Sequence, residues 1–278
     1  MIVVTGAKGL LGSEIMRFLQ KNGIASVGLS REELDFRNEN ATDRLFDEIK
    51  PDIVIHCGAY SKVDKAQDNL NDCYEDNVQG TKNVVQACKR LDSILVFIST
   101  DYVFDGMKDG CYTETDEKNP LSVYGKTKSE AEEIVRKYLD KYYIIRTSWL
   151  FGFGGKNFVD TIIELTNDKK QISVVSDQIG SPTYTEDLTK KIFEVVKKCD
   201  YGIYHVTNSG ACSWAEFARL IVSELGSKCE IKDIDTQTYG AKAPRPYNSR
   251  LCGEKLRANG IRELPSWEDA VKRYLKAK

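Results

Sequence analysis

Short apolar runs alternate with longer amphipathic stretches through the first half of the chain. Ile2-Val3-Val4 is a continuous apolar run, whereas Leu11, Ile15, Phe18 and Leu19 recur at the spacing of one helical face within Leu10–Asn22. Asn22-Gly23 supplies the glycine that ends such a helix. The same alternation predicts strands at 24–29, 53–55, 94–99 and 143–146, with helices at 41–49, 74–91 and 123–139 between them. Strands that are apolar without alternation are buried on both faces, which calls for a parallel sheet with helices on either side. With right-handed crossovers, this is an α/β, doubly wound fold.

Beyond Arg146 the pattern loosens. Helices at 158–165, 185–197 and 213–225 and strands at 172–175 and 203–206 stand between longer loops. Ser266 is placed to cap a last helix carrying Trp267, Ala270, Val271 and Leu275. The two halves pack closely, with a cleft between them at the carboxyl ends of the strands.

Composition then narrows the chemistry. The 278 residues carry 40 Lys+Arg against 42 Asp+Glu, a net charge of −2, which gives no electrostatic case for nucleic acid or an acidic membrane. No run approaches the roughly 18 apolar residues of a membrane span. The start, Met1-Ile2-Val3-Val4-Thr5-Gly6, has no basic segment of a secretion signal, so a cytoplasmic protein is expected. There are 2 His and 8 Cys, the cysteines 13 or more residues apart and without a CxxC pair. No zinc site is expected, and the thiols are expected to be reduced and mostly buried. Acid–base chemistry must rest on something other than histidine.

Gly6-Ala7-Lys8-Gly9-Leu10-Leu11-Gly12 follows the first strand and opens the first helix. Glycines there let the backbone turn tightly and approach a pyrophosphate at the helix N-terminus. In this strand–turn–helix setting the loop predicts a nicotinamide dinucleotide site of the Rossmann type, over residues 1–152. Residues 153–278 are then mainly a smaller C-terminal α/β substrate-binding region, with about 184–207 returning to the sheet. After the second strand, Ser30 and Arg31 favour the phosphate of NADPH, while Glu32 keeps NADH open. Asp35 and Phe36 are expected to flank the adenine.

Tyr124-Gly125-Lys126-Thr127-Lys128 places a phenol and an ammonium four residues apart, on one helical face. A nearby cation favours phenolate, so Lys128 is expected to lower the Tyr124 pKa and make it a proton donor near neutral pH. Tyr274 and Lys278 satisfy the same spacing, so spacing alone decides nothing. Position does: the predicted strand 94–99 runs into Ser99-Thr100, and a hydroxyl at that end faces the ligand crevice. Thr100, Tyr124 and Lys128 form the candidate catalytic set, and Tyr274 and Lys278 are structural.

These residues carry a resemblance. The chain resembles the extended short-chain dehydrogenase/reductase superfamily and, within it, the dTDP-4-dehydrorhamnose reductases. The matching stretches are 5–12, 59–66, 99–106, 124–128, 146–151, 177–183 and 245–251, spanning nearly the whole chain. The resemblance implies reduction of the 4-keto group of dTDP-4-dehydro-L-rhamnose, the last step of dTDP-rhamnose biosynthesis, by NADPH or NADH. It implies that Tyr124 protonates the oxygen, Lys128 tunes Tyr124 and holds the nicotinamide ribose, and Thr100 orients the carbonyl. Tyr102, Trp149 and Arg245 match the substrate site, Ala59, Tyr60 and Ser99 the cofactor border, and Asn77 a supporting amide.

Two departures qualify the match. Glu14 and Glu186 match two carboxylates through which some members dimerise around a metal such as Mg2+. The C-terminus, Tyr274-Leu275-Lys276-Ala277-Lys278, offers no third, so no metal is expected, and both monomer and homodimer stay open. His56-Cys57-Gly58 stands where relatives carry Asn and small residues, and His56 is expected to be packed and hydrogen-bonded. Competing readings are another nucleotide-sugar reductase or epimerase, a dehydratase, or a non-catalytic regulatory subunit with the reductase fold. Dehydratases of this superfamily carry Asp-Glu after the Thr; here Asp101 precedes Tyr102, and the second carboxylate is missing.

Overall fold

Aliphatic runs without polar alternation pair edge to edge at the centre of the molecule. In the computed structural model, which describes residues 1–278, the first half contains strands β1 (Ile2–Thr5), β2 (Ser26–Leu29), β3 (Ile53–His56), β4 (Ile94–Thr100) and β5 (Tyr142–Thr147). Between them lie helices α1 (Leu10–Lys21), α2 (Glu39–Ile49), α3 (Val63–Ala66), α4 (Leu70–Tyr74), α5 (Gly80–Leu91) and α6 (Val123–Tyr138). The second half adds β6 (Leu150–Phe151), α7 (Phe158–Asp168), β7 (Gln171–Val175), β8 (Ile179–Gly180), β9 (Thr183–Tyr184), α8 (Thr185–Lys198) and β10 (Gly202–His205). It ends with β11 (Asn208–Ser209), β12 (Cys212–Ser213), α9 (Trp214–Glu224), β13 (Glu230–Ile234), α10 (Thr236–Tyr239), α11 (Glu254–Ala258), β14 (Leu264–Ser266) and α12 (Trp267–Ala277).

The main sheet has six parallel strands in the order β10-β5-β4-β3-β1-β2. Neighbouring residues of one strand serve opposite faces: Val4 joins Leu11, Ile15 and Leu19 of α1 and Leu188 and Ile192 of α8. Val3 joins Phe46 of α2, Val84 and Val85 of α5 and Ala131 and Val135 of α6. Full burial of such side chains contributes roughly 1.5–3 kcal/mol each, which holds both helical layers on the sheet. Strand order reverses where β1 lies between β2 and β3, and this switch opens a crevice at the strand carboxyl ends.

A second core, built by Phe151, Val159, Ile162, Phe217, Ile221, Trp267 and Tyr274, sits under α7, α9 and α12. Its largest ladder, β7 with β13, pairs five residues in parallel. β13 and the short two-residue ladders carry too little patterning to be read from sequence. No helix is long and apolar enough to cross a membrane.

Two expectations are corrected. The cysteines are not all reduced: Cys111 and Cys252 form a disulfide, with Cα atoms 5.4 Å apart, and the other six are free. The segments around them already lie side by side, with Tyr112 N–H donating to Arg250 O at 2.8 Å and Cys252 N–H to Tyr112 O at 2.7 Å. A sequence separation of 141 residues hides that neighbourhood. The helix expected over 74–91 starts earlier, at Leu70, and contains a π-helical turn over Glu75–Gln79.

Candidate active site

The carboxyl ends of β1, β3, β4 and β5 open into a cavity of about 600 Å³. That volume falls within the usual range of small-ligand sites. The glycine loop forms one wall, with Gly6, Lys8, Gly9, Leu10, Leu11 and Gly12 all lining it. Gly6 has φ +65°, and a Cβ there would stand 2.8 Å from the Gly58 nitrogen. A Cβ on Gly12 would press into the Gly6 carbonyl. The turn is therefore closed to larger residues, and it presents to the cavity a start of α1 that no side chain caps, as a pyrophosphate requires.

Ser30 and Arg31 line the cavity beyond this loop. Lys8 pairs with Glu32, Arg31 with the buried Asp76, and the Ser30 hydroxyl donates to Glu33. Asp35 and Phe36 do not line it. The Asp35 carboxylate accepts from Arg37, at 2.8 Å from Nε, and is held below its ordinary range by that bond. Phe36 is buried, its ring against His56 and beneath Gly58 and Gly80. The ring belongs to the core around Val3 and Phe46.

The chemical end is built by β4 and α6. Ser122 caps α6 by accepting from Gly125 N–H at 3.1 Å, which sets Tyr124 and Lys128 facing the end of β4. A fully buried ion pair locks the helix: Arg146 Nε and Nη2 donate to Glu132 at 2.9 and 2.7 Å, and Ser99 Oγ donates to the same carboxylate at 2.6 Å. Ser99, Thr100, Tyr102, Tyr124 and Lys128 all line the cavity. Thr100 Oγ1 donates to Asp101 Oδ1 at 2.9 Å and accepts from Tyr102 N–H at 3.2 Å. Tyr102 stacks edge-on against Tyr124, ring centroids 5.7 Å apart.

The electrostatics differ from the sequence expectation. Burial pushes the Tyr124 phenol up, against the smaller pull of the Thr100 hydroxyl, so it holds its proton at neutral pH. Burial pushes the Lys128 ammonium down to about 7, opposed mainly by Glu132. Its Nζ donates to Ile98 O at 2.7 Å and sits 3.9 Å from the centre of the Phe97 ring. Lys128 is thus spent on a backbone carbonyl and an aromatic face, and burial governs Tyr124.

Asn77, on the π-helical turn, accepts from Tyr60 N–H at 2.8 Å and donates to Thr127 Oγ1 at 3.0 Å. It ties the loop after β3 to α6 behind the cavity. Neither it nor Tyr60 forms the wall, whereas Ala59 does. Arg245 also stands behind the wall, pairing with Asp64 at 2.8 Å beside Tyr102, with its Nη1 buried and unpartnered. His56 bridges Thr5 Oγ1 at 2.6 Å and Thr81 Oγ1 at 3.2 Å, and burial pushes its pKa down to about 3. It is a neutral, packed side chain. Tyr274 is buried in the second core, donating to Asp160 Oδ1 at 2.8 Å, and does not line the cavity.

The second half closes the cavity with Trp149, at φ +47°, stacked on Trp214 with centroids 3.5 Å apart and planes 7° from parallel. Trp214 and Lys156 also line the cavity and were missed in the sequence. Trp214 is the first residue of an amphipathic helix and gives no signal; Lys156 ends the glycine-rich run 152–155, which is one. Glu14 pairs with Arg17 and Glu186 with Lys190 at 2.5 Å, and no group of three or more His, Cys, Asp or Glu side chains is placed to hold a metal.

A glycine loop at the switch point and a Thr–Tyr–Lys set on one cavity define a Rossmann-type oxidoreductase of the short-chain kind. More narrowly, the chain belongs to the RmlD substrate binding domain family, which it matches over residues 1–278. It is 39% identical to the spore coat polysaccharide biosynthesis protein SpsK of Bacillus subtilis, covering 99% of this chain and 96% of that one. It is 38% identical to the dTDP-4-dehydrorhamnose reductase of Aggregatibacter actinomycetemcomitans, covering 98% and 97%. The crystal structure of dTDP-4-dehydrorhamnose reductase from Bacillus anthracis in complex with NADP superposes with a TM-score of 0.97 at 40% identity, over 100% of this chain and 99% of that one.

Proposed function

We propose that this chain reduces the 4-keto group of dTDP-4-dehydro-L-rhamnose, giving dTDP-L-rhamnose, with NADPH or NADH as reductant. The observation that carries the reading is the convergence of the glycine loop, Thr100, Tyr124 and Lys128 on one cavity. The dinucleotide, when bound, supplies the hydride that C4 accepts. Tyr124 holds its proton at neutral pH and gives it from Oη to the carbonyl oxygen. Thr100, its hydroxyl turning from Asp101 Oδ1, donates to the same oxygen and orients it. Lys128, on leaving Ile98 O, holds the nicotinamide ribose and supports the phenolate that forms. Tyr102, with the Trp149–Trp214 stack, walls the sugar, and Arg245 holds Tyr102 and Asp64 behind it.

Arg31 and Lys8 beside Ser30 suit the additional phosphate of NADPH. The reading carries with it a cytoplasmic enzyme with a nucleotide-sugar substrate and no nucleic-acid partner, acting as a monomer or homodimer. The test is steady-state oxidation of NAD(P)H with enzymatically prepared dTDP-4-dehydrorhamnose. Tyr124→Phe should lower kcat by about 10²–10⁴-fold while NADPH affinity stays near wild type. Turnover surviving that substitution would overturn the assignment of the proton donor. No turnover in the wild type, with dinucleotide binding intact, would favour a binding role or another nucleotide sugar.

A further inference from the structure

Gly152 to Lys156 form a second glycine-rich turn, between β6 and α7, that lies across the first turn of α1. A Cβ on Gly155 would stand 3.5 Å from the Leu10 side chain and 3.6 Å from the Leu10 amide nitrogen. One on Gly154 would collide with the Ser13 hydroxyl. Asn157 fixes the turn from the other side, donating to the Gly152 and Gly155 carbonyls at 2.9 and 3.3 Å. The turn is therefore built to sit against the helix end that faces the cavity, and Lys156 is the side chain with which it enters that cavity.

Four cations line the cavity: Lys8, Arg31, Lys128 and Lys156. Lys8, within the glycine loop, has a solvated pair of its own with Glu32, Arg31 is held by the buried Asp76, and Lys128 is turned to Ile98 O. Lys156 is thus the cation that the second half brings to the loop. Lys156 pairs only with Glu164, at 3.0 Å, with the two side chains 70% and 63% exposed. Such a solvated pair contributes little and exchanges readily for a stronger anion. A dinucleotide pyrophosphate carries two negative charges, and the amides of α1 supply hydrogen bonds but no full charge.

We propose that Lys156 is the counter-cation of the dinucleotide pyrophosphate, leaving Glu164 for the phosphate oxygens when cofactor binds. The assignment rests on the dinucleotide reading above and adds a residue from the second half to the cofactor site. Bridging the two halves, Lys156 makes cofactor binding depend on their apposition.

The test is fluorescence titration of NADPH, NADH and dTDP against the wild type, Lys156→Ala and Lys156→Arg. Lys156→Ala should weaken NADPH and NADH by the same factor, roughly tenfold, because both carry the pyrophosphate. Lys156→Arg should recover most of the loss, and dTDP affinity should not move. Loss of dTDP affinity with both dinucleotides unchanged would overturn the proposal and give the cation to the nucleotide sugar. Unchanged binding of all three would overturn it as a solvated surface cation. A wild type that binds neither dinucleotide would remove the cofactor reading as well, and that failure is visible in the wild-type arm alone.

Discussion

The Lys128 ammonium donates to the Ile98 carbonyl at 2.7 Å while Tyr124, one helical turn back, keeps its proton through burial. The pair is on one face of α6, yet in the protein alone the lysine is not the phenol's partner. Burial leaves the Lys128 pKa pushed down to about 7, so the cation itself titrates near neutrality. A bound dinucleotide ribose accepting from the ammonium favours the charged form, so the bound state keeps the proton to higher pH. Affinity should therefore be full below about pH 7 and fall as pH rises above it, by up to about tenfold per unit. NADH is the ligand to use, since it lacks the titrating 2′-phosphate. A calorimetric Kd that is flat from pH 6 to 8.5 in the wild type, or equally sloped in Lys128→Met, would refute this.

Arg31 is placed to choose between cofactors. Its guanidinium lines the cavity with 58% of the side chain exposed, drawn toward a carboxylate of Asp76 that is buried. A 2′-phosphate beside Ser30 offers it a doubly charged partner at little cost in packing. Arg31→Ala should weaken NADPH binding by roughly tenfold and NADH binding by much less. Equal losses for the two cofactors would mean that Arg31 does not read the phosphate.

How much was legible follows from where each feature gets its signal. The six-stranded sheet was readable because parallel strands buried on both faces leave unbroken apolar runs, such as Ile94–Ile98. Tyr124 was separable from Tyr274 because the long apolar run Ile94–Ile98 leads into a hydroxyl-ended strand before it, whereas Tyr274 follows only the three-residue, proline-containing Leu264–Ser266. The second half was less legible, since its contributions come from loops and short ladders whose pairing depends on tertiary contact. Trp214 looks like any apolar helix residue until Trp149 lies on it. Phe36 was ambiguous for the converse reason: an aromatic beside the cofactor strand suits an adenine and a core equally well, and here its ring is buried. The Cys111–Cys252 bond depends on two loops meeting across the fold.

The Glu132–Arg146 pair predicts a stability effect rather than a catalytic one. Both side chains are 2% exposed or less, and Glu132 also takes bonds from Ser99 and Lys118. Removing the Glu132 charge leaves Arg146 buried without a carboxylate, which costs about 3–5 kcal/mol. Glu132→Leu should lower the urea midpoint sharply. The double variant Glu132→Leu with Arg146→Met should recover much of the loss, because no charge is then left uncompensated. Additive losses in the double variant would show that the pair matters through packing alone.

Asp101 gives a stability effect with a defined pH sign. It is buried at the cavity wall, Oδ1 accepting from Thr100 and Oδ2 without a partner, and burial pushes its carboxyl up to about 7. An unfolded aspartate titrates near about 3.9. The folded chain thus holds this proton more tightly, so the associated stability is full below about pH 3.9 and is lost as pH rises through about 7. Asp101→Asn removes the titration while keeping an oxygen that accepts from Thr100. The stability of Asp101→Asn relative to wild type should therefore increase by about 2 kcal/mol between pH 5.5 and 8, and then level off. Urea unfolding of both proteins across that range measures it. A difference that does not change with pH would mean that Asp101 is ionised in the folded chain throughout, its charge met by a partner in the cavity.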